Sequence, residues 1–432
     1  MLGSLSFATL LLYAIGAIGL LFLLVVGLKR PWFATVAAIA SIAFVPFWTG
    51  VSVSVFFVSV HMVLLGLALV SIFFSDNARP RLHVVDLVLV GVFLLTCALV
   101  AVGMTSLAQA YTFFQWMLAY VFARYAAAAF GIPRLSSVFA VVFAIAGALL
   151  VVEFVTGRNF WTEYLGANNA LYQIWGTLQS RGGVLRAEGA FGHSIAAGCS
   201  LALAAILTLD AKLKPWLRIT AIGIMVAGIL TTISRTGIVT VALGLGLAIV
   251  FARLSLSRLT KVLVLGVLAA GAVIYATALQ GIFSDAGDEA SNSASYRLWL
   301  FDLLPYLQPF GVTASATRST AGTLSFGSFG SIDNAVLGQA LTTGWVPTLI
   351  LLGLAVAAAI KVLGLRASVP MVAVAATIPA LFTVALITQY SLVFWIVAGL
   401  AVSGTRSAPS PEQPDPVETS ATSRTVLAGA AQ

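Results

Sequence analysis

The sequence offers few ionisable side chains, and those that could do chemistry fall in four short stretches. The first is Arg181-Gly-Gly-Val-Leu-Arg186-Ala-Glu188-Gly-Ala-Phe-Gly-His193. Guanidinium forks bind phosphate oxygens bidentately, and glycine lets backbone come close, so this stretch suits an anion. The bland alternative is a solvated loop end in which Glu188 neutralises an arginine. The second is Thr231-Thr-Ile-Ser234-Arg235-Thr-Gly237, a short turn between two apolar runs. If those runs cross a bilayer, Arg235 sits at or just inside its boundary, where drawing a charge toward the centre costs about 2–3 kcal/mol. Arg235 then either snorkels to the headgroups or meets a partner anion. The third is Ala294-Ser-Tyr296-Arg297-Leu-Trp299-Leu-Phe-Asp302. Its apolar spacing predicts a short amphipathic helix on a membrane surface, with Arg297 paired to Asp302 or to headgroups. The fourth is Ser331-Ile-Asp333-Asn334-Ala-Val-Leu337, leading to Gly344. Asp and Asn are favoured helix caps, and spacing alone favours capping.

Other chemistry is thinly represented. There is no phosphate-cradling Gly-Lys-Ser/Thr loop, no His-Glu-x-x-His and no Cys-x-x-Cys, and three histidines with two cysteines argue against a zinc site. ATP hydrolysis is not expected either. Cys97 and Cys199 lie inside apolar runs and read as small buried hydrophobes. His61 reads as a hydrogen-bonded core histidine. Asp86 and Glu153 lie near the ends of apolar runs and are expected to be wetted.

The elements that must position these stretches follow from composition. Of 432 residues, 60% are hydrophobic and 8% charged, and the mean hydropathy is +1.06. A soluble domain is about 25% charged, so most of this exterior faces something other than water. The formal charge is +8. The basic residues sit in short groups between apolar runs, as topogenic signals do, and not in one patch for nucleic acid. The expected fold is an all-α polytopic membrane protein, a single transmembrane domain over 1–403. Spans of about 20 residues are expected near 7–28, 32–48, 51–74, 84–103, 107–129, 135–156, 191–209, 216–233, 236–252, 260–279, 339–361 and 370–387. The short run 389–403 is a thirteenth span or a re-entrant piece. Lys29 and Arg30, Arg79 and Arg81, Arg124 and Arg134, Lys212 to Arg218, Arg253 to Lys261, and Lys361 with Arg366 mark every second loop as cytoplasmic. The two long loops, 157–190 and 280–338, then fall outside, as does the N-terminus. The first apolar run has no basic residue ahead of it and is long enough to span, which argues against a cleaved signal peptide. Residues 404–432 read as a disordered tail and 311–331 as a mobile stretch of the outer loop.

Taken in order, the four stretches resemble the bacterial O-antigen ligase and polysaccharide polymerase family of membrane glycosyltransferases. The matches are Arg186-Ala-Glu188-Gly-Ala-Phe191 before a mid-chain span and Ser234-Arg235-Thr-Gly237 opening a span. Tyr296-Arg297-Leu-Trp299 follows at the base of a long outer loop, with Pro309-Phe-Gly311 beyond it. The last is Asp333-Asn334, nine residues, then Gly344. The resemblance covers roughly residues 105–400. Two departures stand out: the family's ligases have His at Asp333, and Thr313 replaces a second glycine after the Pro-Phe-Gly turn. Some members that polymerise exopolysaccharide carry Asp-Asn, which points to a polymerase.

The resemblance implies a donor glycan joined through diphosphate to a polyprenyl lipid, and a glycan acceptor whose hydroxyl attacks the anomeric carbon with inversion. It implies Asp333 and Asn334 as catalytic residues and Arg186, Arg235 and Arg297 as the diphosphate clamp. Glu188, His193, Arg181 and Tyr296 are secondary. No metal or other cofactor is implied, and no nucleic acid. Partners are the lipid-linked donor, the acceptor, the bilayer and other envelope-polysaccharide assembly proteins. The place is the bacterial cytoplasmic membrane, with the site on its outer side. Two alternatives stand: a ligase moving finished glycan to a lipid or protein acceptor, and a transporter or flippase of lipid-linked sugars. The loop residues of peptidoglycan polymerases of the shape and division type are not found.

Overall fold

The computed structural model describes residues 19, 25–53, 56–75, 79–167, 169–252, 257–279, 295–318, 324–327, 329–365 and 367–404. The chain is mostly helical. The first helices are α1 (Pro31–Phe44), α2 (Val60–Phe73), α3 (Val84–Ala101), α4 (Leu107–Phe130) and α5 (Ile132–Thr156). Short α6 (Phe160–Tyr164) and α7 (Ala170–Trp175) precede α8 (Ser194–Thr208), α9 (Pro215–Thr231), α10 (Arg235–Phe251) and α11 (Arg258–Ile274). The last are α12 (Ala335–Thr343), α13 (Trp345–Leu363), α14 (Val369–Leu381) and α15 (Thr388–Ser403). Three antiparallel hairpins complete the described residues: β1–β2 (Gly50–Val53, Phe56–Ser59), β3–β4 (Ser180–Arg181, Val184–Leu185) and β5–β6 (Ala316–Arg318, Leu324–Phe326).

Four of the described helices are long and apolar enough to cross a membrane: α3, α5, α11 extended to Thr277, and α13. Helices α1, α2, α8, α9, α10, α14 and α15 are apolar but shorter. Helix α8 is the axis of the core, buried along its length apart from Ile195. The peripheral helices turn apolar side chains outward, among them Leu87 and Leu94 of α3, Val262 and Leu265 of α11, and Leu349 and Ile360 of α13. An apolar belt of this kind faces lipid more readily than water.

Three expected spans are corrected. Residues 51–53 and 56–59 belong to the paired strands β1 and β2, in register Gly50↔Ser59 to Val53↔Phe56, and α2 begins only at Val60. The alternating Val51-Ser-Val segment has the two-residue period of a strand, and Ser59 caps α2 by accepting from Met62 N–H at 3.5 Å. The expected span 339–361 is broken at Gly344, whose φ is +99° and whose Cβ, if present, would lie 2.4 Å from Pro309 O. Only glycine meets both demands. The run 370–387 stops at Leu381, and residues 382–387 form a non-helical break before α15. Of the first expected span, 25–28 is helical and nearly all the rest lies outside the described residues, as does the expected tail beyond Gly404. The stretch read as mobile, 311–331, includes the β5–β6 hairpin. Its residues 319–323 and 328 lie outside the described set.

The helices alternate between two ends. At one end Arg124 grips Asp86 bidentately, Nε to Oδ1 at 3.0 Å and Nη2 to Oδ2 at 2.9 Å. It also reaches Ser403 Oγ at 2.9 Å and Arg81 O at 2.6 Å. Asp86, expected to be wetted, is thus held in a mostly buried ion pair that ties α3, α4 and α15 together. Lys212 N–H meets Pro133 O at the same end, at 3.2 Å. The four chemistry-bearing stretches lie at the other end.

Candidate functional site

The arginines of the first two stretches converge on one turn. The β3–β4 hairpin carries Arg181 at its tip and Arg186 just past its base. Arg186 Nε donates to Thr232 O at 3.0 Å, and Ala187 N–H to Thr231 O at 3.1 Å. Arg181 Nη1 reaches Ile233 O at 3.4 Å. Arg235 opens α10 two residues later and is exposed. Three guanidinium-bearing residues therefore surround the Thr232–Arg235 turn. Its tightness has a local cause: Ile233 takes φ +49°, Ser234 Oγ caps α10 from Gly237 N–H at 3.2 Å, and Gly237 packs against the Gly198 backbone of α8. A Cβ at Gly237 would approach Gly198 within 3.0 Å. The Ser-Arg-x-Gly spacing is thus the spacing of a cap, a cation and a helix contact.

Glu153 sets the other side of this loop. Expected to be wetted, it is 3% exposed. Its Oε1 accepts from Glu188 N–H at 3.0 Å and Asn159 Nδ2 at 2.9 Å, and its Oε2 from Gly189 N–H at 2.8 Å. The buried carboxylate is stabilised because it serves three donors that would otherwise go unpaired. Glu188 is fully buried; its Oε1 accepts from Gln179 N–H at 2.9 Å, and its Oε2 has no partner among the described residues. Burial, with Glu153 nearby, pushes the Glu188 carboxyl up to about 8, against a smaller opposing pull from Gln179 N–H and Arg186. It is therefore mainly neutral at neutral pH and does not cancel an arginine. His193 caps α8, its Nδ1 accepting from Ile195 N–H at 3.2 Å, with its ring edge-on to Trp175.

The third and fourth stretches form a second group. Residues 295–299 are helical and continue into a 3₁₀ turn, Leu300–Tyr306, with Leu300 and Leu303 buried and Leu298, Trp299 and Phe301 exposed. Tyr296 OH donates to Ser331 O, and its ring meets Phe329 edge-on at 5.5 Å. Burial and the neighbouring Asp333 push the Tyr296 phenol up, so Tyr296 and Asp333 share one field. Asp333 is exposed and accepts from Ser331 Oγ at 3.2 Å. Arg297 Nε is buried without a partner among the described residues, and no Arg297–Asp302 ion pair stands among them. Asn334 caps α12, its Oδ1 accepting from Leu337 N–H at 2.9 Å. It positions the helix that follows Asp333.

The break between α14 and α15, with the first turn of α15, joins the two groups. Val384 O accepts from Ala335 N–H at 3.0 Å, and Gln389 Nε2 donates to Ala190 O at 2.7 Å. Helices α10 and α14 pack side by side, a Cβ at Gly244 lying 3.2 Å from that of Ala376. Ala252, just past α10, bridges Ala367, just ahead of α14, so Arg235 and the α14 terminus at Leu381 lie together at the opposite end. An apolar crevice runs from this end between α3, α4, α12, α13, α14 and α15. Ala335 and Val336 line one end, next in sequence to Asp333 and Asn334, and His83 and Lys361 line the other. Between them Trp116 and Trp395 stack at 5.6 Å.

Sequence reasoning missed Gln179, Val384 and Gln389, and expected Glu153 to be wetted where it is buried. A glutamate and a glutamine inside apolar runs were the available signals, because such residues stay buried only when bonded. Among the described residues, no three His, Cys, Asp or Glu side chains gather where a metal ion could be held. Set against known protein families, curated proteins and solved structures, the chain matches none.

Proposed function

We propose that the chain is a membrane glycosyltransferase that joins polyprenyl-diphosphate-linked oligosaccharide units at the outer face of a bacterial cytoplasmic membrane. The seven shorter apolar helices and α4 would cross together with the four long ones, giving about twelve spans. The observation that carries the reading is the shared support at 382–389. The loop that carries Arg181 and Arg186 is bonded through Ala190 O to Gln389 in the first turn of α15, and Ala335, which follows Asp333-Asn334 and lines the apolar crevice, is bonded to Val384 just before it. A lipid-borne diphosphate needs cations at the membrane edge and an apolar channel for its tail; this arrangement offers both.

The chemistry then follows from the residues. The acceptor hydroxyl oxygen attacks the anomeric carbon and forms the new glycosidic bond. The bond from that carbon to the diphosphate oxygen breaks, its electron pair leaving with the polyprenyl diphosphate. The hydroxyl proton passes to the Asp333 carboxylate. Arg186, Arg235 and Arg297 stabilise the charge that builds on the diphosphate. Direct displacement inverts the anomeric centre. A transporter would call for polar side chains along a path through the spans, whereas the crevice is predominantly apolar between its ends. The test is the rate at which isolated membranes release polyprenyl diphosphate from lipid-linked glycan. Arg186→Ala, Arg235→Ala and Arg297→Ala should each lower it by about 100-fold, the usual effect of losing a charge-stabilising donor. Unchanged rates in all three would overturn the clamp.

A further inference from the structure

A second cleft lies at the far end of α12 from Asp333. It has a volume of about 590 Å³ and lies between the turn joining α3 to α4 and the 308–316 loop, with Met104, Thr105, Gln308, Phe310, Thr313 and Ala316 among its lining residues. Small-molecule sites usually measure about 300–1,000 Å³. No Lys, Arg, His, Asp or Glu lines this one among the described residues, so it offers an anion nothing. Its lining is part polar and part apolar, so it suits a lipid chain poorly. Phe310 is 38% exposed and Met104 45%, and Gln308 is exposed beside them. An aromatic face takes the apolar C–H face of a sugar ring, and a side-chain amide both donates to and accepts from hydroxyls.

The walls of the cleft are fixed before any ligand arrives. Val312 N–H donates to Met104 O at 2.7 Å, Gly311 N–H to Thr343 O at 2.9 Å, and Thr313 N–H to Leu341 O at 2.9 Å. Thr105 Oγ1 donates to Thr342 O at 2.7 Å. The cleft is thus fastened to the last turn of α12, a helix of nine residues whose first turn follows Asp333-Asn334. At 1.5 Å per residue that helix is about 14 Å long, a reach that a short run of sugar residues covers.

We propose that this cleft is a subsite for the acceptor glycan, which lies across Phe310 and Gln308 with its attacking hydroxyl toward Asp333. The proposal rests on the glycosyl-transfer reading for its occupant but on the cleft alone for its chemistry. The test uses the full-length protein in detergent and, as probe, the repeat-unit oligosaccharide cut from the producing cell's surface polysaccharide. Saturation-transfer NMR reads binding. The unmodified protein should bind, while Phe310→Ala and Gln308→Ala weaken binding by about tenfold, the worth of one stacking or hydrogen-bonding contact. Should Phe310→Ala fail to elute as a single folded species, the exposed Gln308 side chain carries the test. Absence of binding to the unmodified protein, or undiminished binding to the folded variants, overturns the subsite. Binding that behaves as expected while Asp333→Ala leaves cellular glycan unchanged would retain the cleft and remove the transferase reading.

Discussion

Glu153 and Glu188 occupy one buried cradle and do opposite things. Glu153 accepts from three donors, whereas Glu188 keeps an oxygen with no partner among the described residues and a proton-holding carboxyl. Because burial raises the Glu188 value to about 8, the folded state binds a proton that the unfolded chain releases near the ordinary glutamate value. The associated stability is fully present below that ordinary value and is lost as pH rises through about 8. Thermal unfolding in detergent, followed from about pH 5 to about pH 9, should show the unmodified protein losing stability relative to Glu188→Gln. Parallel pH profiles would contradict this. The arginines and Glu188 were legible in the sequence because charges are rare and these share short stretches. Gln389 was not: it bonds Val45 O and Ala190 O, partners far away along the chain, and nothing local announces them.

At the scale of elements, the spacing of Asp333-Asn334 to Gly344 is the length of one short helix, capped at its start and turned at its end. Gly344 is held at φ +99° against the Pro309-Phe310 backbone. Gly344→Ala should therefore lower the melting temperature clearly, by the strain of a forbidden backbone region and a backbone clash. Gly353→Ala is the control, because a Cβ there meets nothing within 4 Å and lies in the middle of α13. It should be neutral or stabilising by about 0.5–1 kcal/mol. Equal effects at the two positions would show that the turn is not demanding. Most helix positions were legible from apolar runs, often within a few residues, as for α4, α5 and α10. The breaks were not, because hydropathy continues smoothly through Gly344 and through 382–387. The β1–β2 hairpin was hidden for the same reason, although its alternation was there to be counted.

For the whole molecule, the basic loops separate from the chemistry-bearing stretches, one set at each end of the helices. The alternation was legible because charge marks it, and the structure adds the packing that charge cannot describe, with α8 at the centre and α3, α11 and α13 outside. An impermeant thiol reagent applied to intact cells should label Thr317→Cys, in the loop read as external, and spare Lys212→Cys, at the opposite end. Labelling of Lys212→Cys but not Thr317→Cys would invert the proposed orientation and place the arginines on the wrong side for an outer-face reaction.

The most direct measurement of the central claim is the size profile of lipid-linked glycans in cells carrying Asp333→Ala in place of the unmodified protein. The account predicts single repeat units accumulating on the lipid, with surface polymer lost. Full-length chains stranded on the lipid would keep the transferase chemistry but contradict polymerisation. A profile identical to that of the unmodified protein would contradict the assignment of Asp333 and, with it, the proposed reaction.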